Sequence, residues 1–278
     1  MSPPATDAVV NLSSEKLLKR FGTTEIRCRP FHFRHSGLDL AGSILKIDKY
    51  ELSFVPYTLS LSTCRLLVSM NEREIEHFNT LVEGTHTLKF TFDSEIWGRR
   101  VDFLLWGRIG PIHRANPDLD VALITFSISR VANTYREVFI DLALQEARLR
   151  ELYDGELAQT VFDGDCYHDV FGTPTVIVKP GRKLARVFEV RSFSLRTMVL
   201  YGPVPPDRSV VEAYIKITLV DDRPPLTVDG QISAEEKSEE SDAYRSITVD
   251  LDYNPDLVEI MSPFLKSRGW SPNELTTG

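Results

Sequence analysis

The chain contains an internal repeat. Gly107 in WGRI and Gly230 in DGQI stand 123 residues apart, and Ile124-Thr125 and Ile247-Thr248 keep that spacing, each pair 17 residues beyond its glycine. Upstream, Ser60-Leu61-Ser62 before CRLLV aligns with Ser192-Phe193-Ser194 before RTMVL at a spacing of 132. Downstream, Asn133 and Asn254 each open a helical pattern and align at 121. Self-similarity over such a distance constrains the fold more than any local propensity, because each copy must be one folding unit. The nine-residue change of spacing falls where the first copy carries the extra polar run NEREIEHFNT, and loops tolerate insertions of this kind.

Both copies read as short strands. AGSILKID, YELSFVPYTLS, CRLLVSM, THTLKFTF, VDFLLWGRI and VALITFSISRV are rich in β-branched and aromatic residues with polar residues interleaved, and THTLKFTF alternates strictly. NEREIEHFNTLVEG between them reads as a polar loop with a helical turn. The second copy supplies PTVIVKPGRKLARVFEV, a hairpin turning at Pro180 and Gly181, then RTMVLYG, VVEAYIKITLV, LTVDGQI and YRSITVDLDY. The acidic ISAEEKSEESDA joins the last two as a hairpin loop. Each copy ends in a helical pattern: NTYREVFIDLALQEARLRELYDG, stopping at Gly155, and PDLVEIMSPFLKSRG, interrupted at Pro263. Six strands and one helix per copy predict a mainly β chain of two tandem small antiparallel six-stranded barrels, each closed by its C-terminal helix. The expected divisions are a leader and short helix over 1–23, with Ser13 or Ser14 as cap and Gly22 as stop. A first barrel domain follows over 24–154, a linker over 155–172 and a second barrel domain over 173–278.

Composition excludes several classes. A net charge of −8 opposes a duplex nucleic-acid coat, since that binding rests on Lys and Arg neutralising phosphates. No apolar run reaches membrane-spanning length, and MSPPATDAVV lacks a secretory pattern, so a cytoplasmic protein is expected. Cys28, Cys64 and Cys166 are odd in number and far apart, which reads as isolated thiols.

Chemistry-bearing patterns are sparse. No nucleophile elbow, phosphate loop, dinucleotide fingerprint or HExxH is present, and the carboxylates are scattered, so no catalytic residue is assigned and no enzyme is expected. His32 and His35 near Cys28 are crowded by Arg27, Arg29 and Arg34, which oppose a metal cation, and no cofactor is expected. With Phe31 and Phe33 these arginines read as a domain-entry segment whose rings pack and whose cations stay wet. Asp163, Asp165 and Asp169 around Gly164 read as a capped linker turn, because the rest of a calcium loop is missing. Trp97, Trp106 and Trp270 are expected in cores and lids.

The second copy, from Pro174 to Arg268, with its strand hairpin, Ser-x-Ser turn, VLYGPVPPDRSVVEAYIKI, PLTVDGQI and YRSITVDLD, resembles the PilZ family. These are bacterial six-stranded barrels with a C-terminal helix, many of which bind cyclic di-GMP. The first copy, Leu38 to Leu152, resembles the diverged barrel some members carry in front. The resemblance implies a ligand site of two parts. An RxxxR segment ahead of the first strand grips phosphates and stacks on guanine, and an Asp/Asn-x-Ser-x-x-Gly turn reads guanine edges. Here the turn is Ser192-Phe193-Ser194-Leu195-Arg196-Thr197, keeping only its central serine, and the first copy has Ser60-Leu61-Ser62-Thr63-Cys64-Arg65. The RxxxR spacing occurs at Arg182 and Arg186, after the first hairpin turn, on the outer or rim side of a strand; FDGDCYHDVFG ahead of Pro174 has no arginine. The resulting expectation is a non-enzymatic regulatory or adaptor protein with a degenerate ligand motif, working through a protein partner. The alternatives are a cyclic di-GMP receptor with relocated contacts at Arg182, Arg186, Ser192 and Ser194, and a structural assembly component.

Overall fold

The computed structural model describes residues 14–93, 100–171, 175–180, 185–203, 212–219, 225–237 and 244–267. The chain divides into two compact units, the first built on residues up to Glu146 and the second on Ala147 to Pro272.

In the first unit, α1 (Ser14–Phe21) ends before Gly22, where a Cβ would press on the Leu18 carbonyl oxygen at 2.6 Å. β1 (Ile26–Arg27) leads into α2 (Pro30–Ser36), and the arginine-rich segment expected at the domain entry runs from Arg27 in β1 through Arg29 before the helix to Arg34 within it. Phe31 and His32 are buried there, and Arg34 stands in the last turn. The strands are β2 (Ile44–Ile47), β3 (Tyr50–Ser53), β4 (Val55–Leu59), β5 (Thr63–Ser69), β6 (His86–Phe92), β7 (Val101–Ile109), β8 (His113–Arg114) and β9 (Val121–Arg130). They form one antiparallel sheet ordered β1-β4-β5-β9-β7-β6-β2-β3, with β8 on β9. The insertion expected as a loop with a helical turn holds the two-turn helix α3 (Glu72–Asn79), fixed by a capping box in which Asn71 accepts from the Glu74 amide and Glu74 accepts from the Asn71 amide.

Alternation turns one row of each strand inward. Leu45, Leu66, Leu88, Leu105 and Ile124 have no exposed surface. Phe90 sits among Phe54, Phe103 and Tyr135 with ring centroids 5.5–6.1 Å apart. Each such side chain contributes about 1.5–3 kcal/mol by leaving water. α4 (Asn133–Asp154) sets Tyr135, Val138, Phe139 and Leu142 against this core.

The second unit has β10 (Phe162–Asp163), α5 (Gly164–Phe171), β11 (Thr175–Pro180), β12 (Arg186–Phe193), β13 (Thr197–Pro203), β14 (Glu212–Ile217), β15 (Leu226–Lys237), β16 (Tyr244–Leu251) and α6 (Pro255–Ser267). β11 to β16 pair antiparallel in the ring β12-β11-β14-β15-β16-β13, which the β12–β13 pairing closes into a six-stranded barrel. α6 is capped by Asn254, whose Oδ1 accepts from the Asp256 and Leu257 amides. It runs on through Pro263 instead of breaking there.

Of residues 155–172, expected as a linker, 155–171 are described. They hold a 3-10 turn (Glu156–Gln159), β10 and α5, and the Asp-rich segment expected as a turn is this helix. Tyr167 and Phe171 have no exposed surface and pack around Phe193, because a tight barrel leaves one end apolar and aromatic rings fill it.

The two pairing orders correspond. β2, β5, β6, β7 and β9 pair among themselves as β11, β13, β14, β15 and β16 do, with β3 and β4 together in the place of β12 and only Phe54 between them. The short strand β1 pairs with β4 as β10 pairs with β12. Register confirms the spacing of 123: Gly107 faces Ile128 and Gly230 faces Leu251, while Leu66 faces Ile124 and Leu200 faces Ile247.

Candidate functional site

The turn between β12 and β13 is built by one hydroxyl. Ser194 Oγ accepts from the amides of Arg196 at 3.1 Å and Thr197 at 2.9 Å, and the Ser194 amide donates to the Thr197 carbonyl at 2.8 Å. Ser194 is 1% exposed, so its hydroxyl serves the turn. In the first unit Ser60 does the same: its Oγ accepts from Ser62 at 3.3 Å and Thr63 at 2.9 Å, and its amide donates to the Thr63 carbonyl at 2.9 Å. Ser60 therefore corresponds to Ser194 and Thr63 to Thr197, a spacing of 134. The spacing of 132 read from Ser-x-Ser is corrected by two residues, because two serines at i and i+2 in each copy allow a false register.

Ser192 lies two residues before this turn, half-buried, paired with Asp163 beside a bulge that follows Val190. Arg186 is at the other end of β12, facing Val178. From Arg186 to Ser194 the strand covers about 25 Å. Ser192 and Ser194 are thus together, and Arg186 stands apart from them, on the inward row of β12 at the barrel rim. There it borders an open concavity of ≈ 600 Å³ with Val187, Glu189, Tyr201, Pro203 and Tyr244. Arg182 lies outside the described residues.

The turn has a neighbourhood that the sequence reading missed. Arg196 Nε donates to the Tyr153 carbonyl at 2.9 Å, its Nη2 approaches Asp154 at 3.8 Å, and its guanidinium lies over the Tyr153 ring at 5.3 Å. Tyr153 is in the last turn of α4, where carbonyls lack helical partners and a cation is favoured. The Tyr153 hydroxyl donates to the Leu251 carbonyl at 2.7 Å, and its ring meets Tyr253 edge-on at 5.3 Å. Arg150 lies over the Tyr253 ring at 4.2 Å. Two guanidinium groups and two phenol rings thus stand beside the Ser194 turn. Burial is the main cause that raises the Tyr153 phenol pKa above its usual range, against the lowering pull of Arg196 and Arg150. No single segment signals this cluster: Arg196 precedes β13, Tyr153-Asp154 ends α4, and only the fold brings them together.

The two histidines of α2 are structural. His32 Nδ1 accepts from the Arg29 amide at 3.0 Å and its Nε2 donates to Glu146 at 3.1 Å, while His35 pairs with Asp141 at 3.4 Å, so both tie α2 to α4. Burial pushes the Cys64 thiol up to about 12. Trp106 is 46% exposed on β7 rather than in a core, and Trp97 and Trp270 lie outside the described residues. Among the described residues no helix is long and apolar enough to cross a membrane.

No family model and no curated protein matches the chain. Solved structures do. The Borreliella burgdorferi PlzA protein in complex with c-di-GMP is similar at 10% identity and a TM-score of 0.45, covering 91% of this chain and 98% of that one. The Bacillus subtilis inhibitor of motility MotI/DgrA is similar at 9% identity and a TM-score of 0.30, covering 83% and 97%. Escherichia coli YcgR in complex with c-di-GMP is similar at 10% identity and a TM-score of 0.26, covering 92% and 88%.

Proposed function

We propose that this chain is a non-catalytic regulatory protein of PilZ type whose ligand turn has become a structural tie, and that it acts by binding a protein partner. The observation that carries the reading is the tie between Arg196 and Tyr153. The turn that in PilZ receptors would meet a guanine holds its own serine hydroxyl inside, lacks the acidic or amide residue at Ser192 and the glycine at Thr197, and spends its arginine on a helix end. The closed barrel and the position of this turn between its second and third strands support the PilZ assignment.

The first unit we read as a second barrel, with β3 and β4 one strand bent at Phe54, so that the pairing ring β2-β4-β5-β9-β7-β6 closes as in the second unit. α4 and α6 would then be the closing helices, each presenting a buried apolar face.

The receptor reading has one specific observation in its favour: Arg150 and Arg196 stack on Tyr253 and Tyr153 next to Ser194, the residue types that grip phosphates and bases. A ligand there would have to take Arg196 from the Tyr153 carbonyl and from Asp154. Calorimetric titration with cyclic di-GMP separates the two readings.

A further inference from the structure

The outward row of β7 is Asp102, Leu104, Trp106 and Arg108, while Phe103, Leu105, Gly107 and Ile109 face the core. Leu104 and Trp106 are 43% and 46% exposed, although β7 is an inner strand held between β6 and β9. The solvent row of such a strand ordinarily carries polar residues. Two large apolar side chains in succession there form a patch rather than a scattered exposure. Arg130 of β9 stands directly across from Trp106, and Arg108 follows on the same row, across from Ser127. Among the described residues neither guanidinium has an ion-pair partner, whereas nearby Lys89 is compensated by Asp102 at 3.5 Å. Thus an indole and an isobutyl group lie beside two uncompensated cations, on a chain whose net charge is −8.

We propose that this face docks an acidic segment of a partner protein. An aromatic or long aliphatic side chain of the partner packs on Leu104 and Trp106, and its carboxylates pair with Arg108 and Arg130. The charge on the face selects the occupant: two free guanidinium groups match a few carboxylates. A nucleic acid held by phosphate contacts needs many more cations than these two. Tryptophan and arginine are also the side chains on which protein interfaces concentrate their energy, and both are pre-positioned here by the sheet. This inference gives a surface to the adaptor reading and rests on it.

The test uses the full chain without nucleotide, so its failure leaves the ligand question untouched. A fluorescent random copolymer of glutamate and tyrosine is titrated with protein at low salt and followed by anisotropy. Polyglutamate, a thymidine oligonucleotide and phosphatidylserine vesicles are compared in parallel. The copolymer is expected to bind at least about tenfold more tightly than polyglutamate, since the aromatic adds to the charge. Trp106→Ala, and separately Arg108→Glu with Arg130→Glu, should each weaken it about tenfold or more while leaving the far-ultraviolet spectrum unchanged. Trp106→Phe should fall between. Absence of copolymer binding, unchanged binding by either variant, or tighter binding of oligonucleotide or vesicles would overturn the proposal.

Discussion

Arg196 and Tyr153 are joined twice: the guanidinium Nε donates to the Tyr153 carbonyl at 2.9 Å, and the same guanidinium lies over the Tyr153 ring at 5.3 Å. A charge-assisted bond of this kind contributes about 1.5–3 kcal/mol when well shielded, and less at the 35% side-chain exposure of Arg196. Arg196→Ala should therefore lower stability by about 1–2 kcal/mol in urea unfolding. Arg196→Lys should recover only part, because an ammonium reaches the carbonyl without covering the ring.

The serine turns make a paired prediction. Ser194→Ala and Ser60→Ala each strand two backbone amides in a buried turn, and each should cost about 1–3 kcal/mol. Ser192→Ala removes no hydroxyl bond on which the turn depends and should stay within about 0.5 kcal/mol. If Ser62→Ala rather than Ser60→Ala proved the costly change, the spacing of 134 would be wrong.

The repeat glycines should be equally intolerant of a methyl group. At Gly107 a Cβ would overlap the Ser127 carbonyl and the Phe126 ring, and at Gly230 it would stand 2.6 Å from the Asp250 carbonyl and 2.9 Å from Val249. Gly107→Ala and Gly230→Ala should each destabilise by about 1–3 kcal/mol, whereas Gly110→Ala, with its nearest atom 3.9 Å away, should be nearly neutral. Thermal and urea unfolding of the three variants measure this.

A pH dependence follows from Cys64. Its native thiol pKa is raised from 9.0 to about 12, so the unfolded chain loses this proton first as pH rises. The contribution is fully present below pH 9, and stability should fall by about 1.4 kcal/mol per pH unit per such group from there towards pH 12. Urea unfolding of Cys64→Ala at about pH 8 and pH 10 should show a shallower fall than the parent protein.

Much of the architecture was legible because strands with one buried face must alternate. HTLKFTF and VDFLLWGRI became β6 and β7, with Leu88, Phe90, Leu105 and Ile109 inward as the pattern required. The glycine pair was legible because close approach of two strands leaves few residues to choose from. α3 was legible only as a helical turn within a loop, although Asn71 and Glu74 form a capping box, since the polar composition of the segment hid its full length. The elements within 156–171 were missed because Tyr167 and Phe171 become core only once Phe193 is placed against them. Trp106 was expected in a core or lid on residue type alone, where the alternation around Phe103 and Leu105 already put it outside. The cluster of Arg150, Tyr153, Arg196 and Tyr253 joins three separate segments and has no signature in any one of them.

Isothermal titration of the full chain with cyclic di-GMP decides whether the ligand turn is internally occupied. Arg196→Ala and the Arg182→Ala, Arg186→Ala double variant are measured alongside. No binding tighter than about 1 mM is expected for any of the three proteins. Micromolar binding by the parent protein that either variant abolishes would contradict it and make the chain a receptor, with the arginine concerned as its contact.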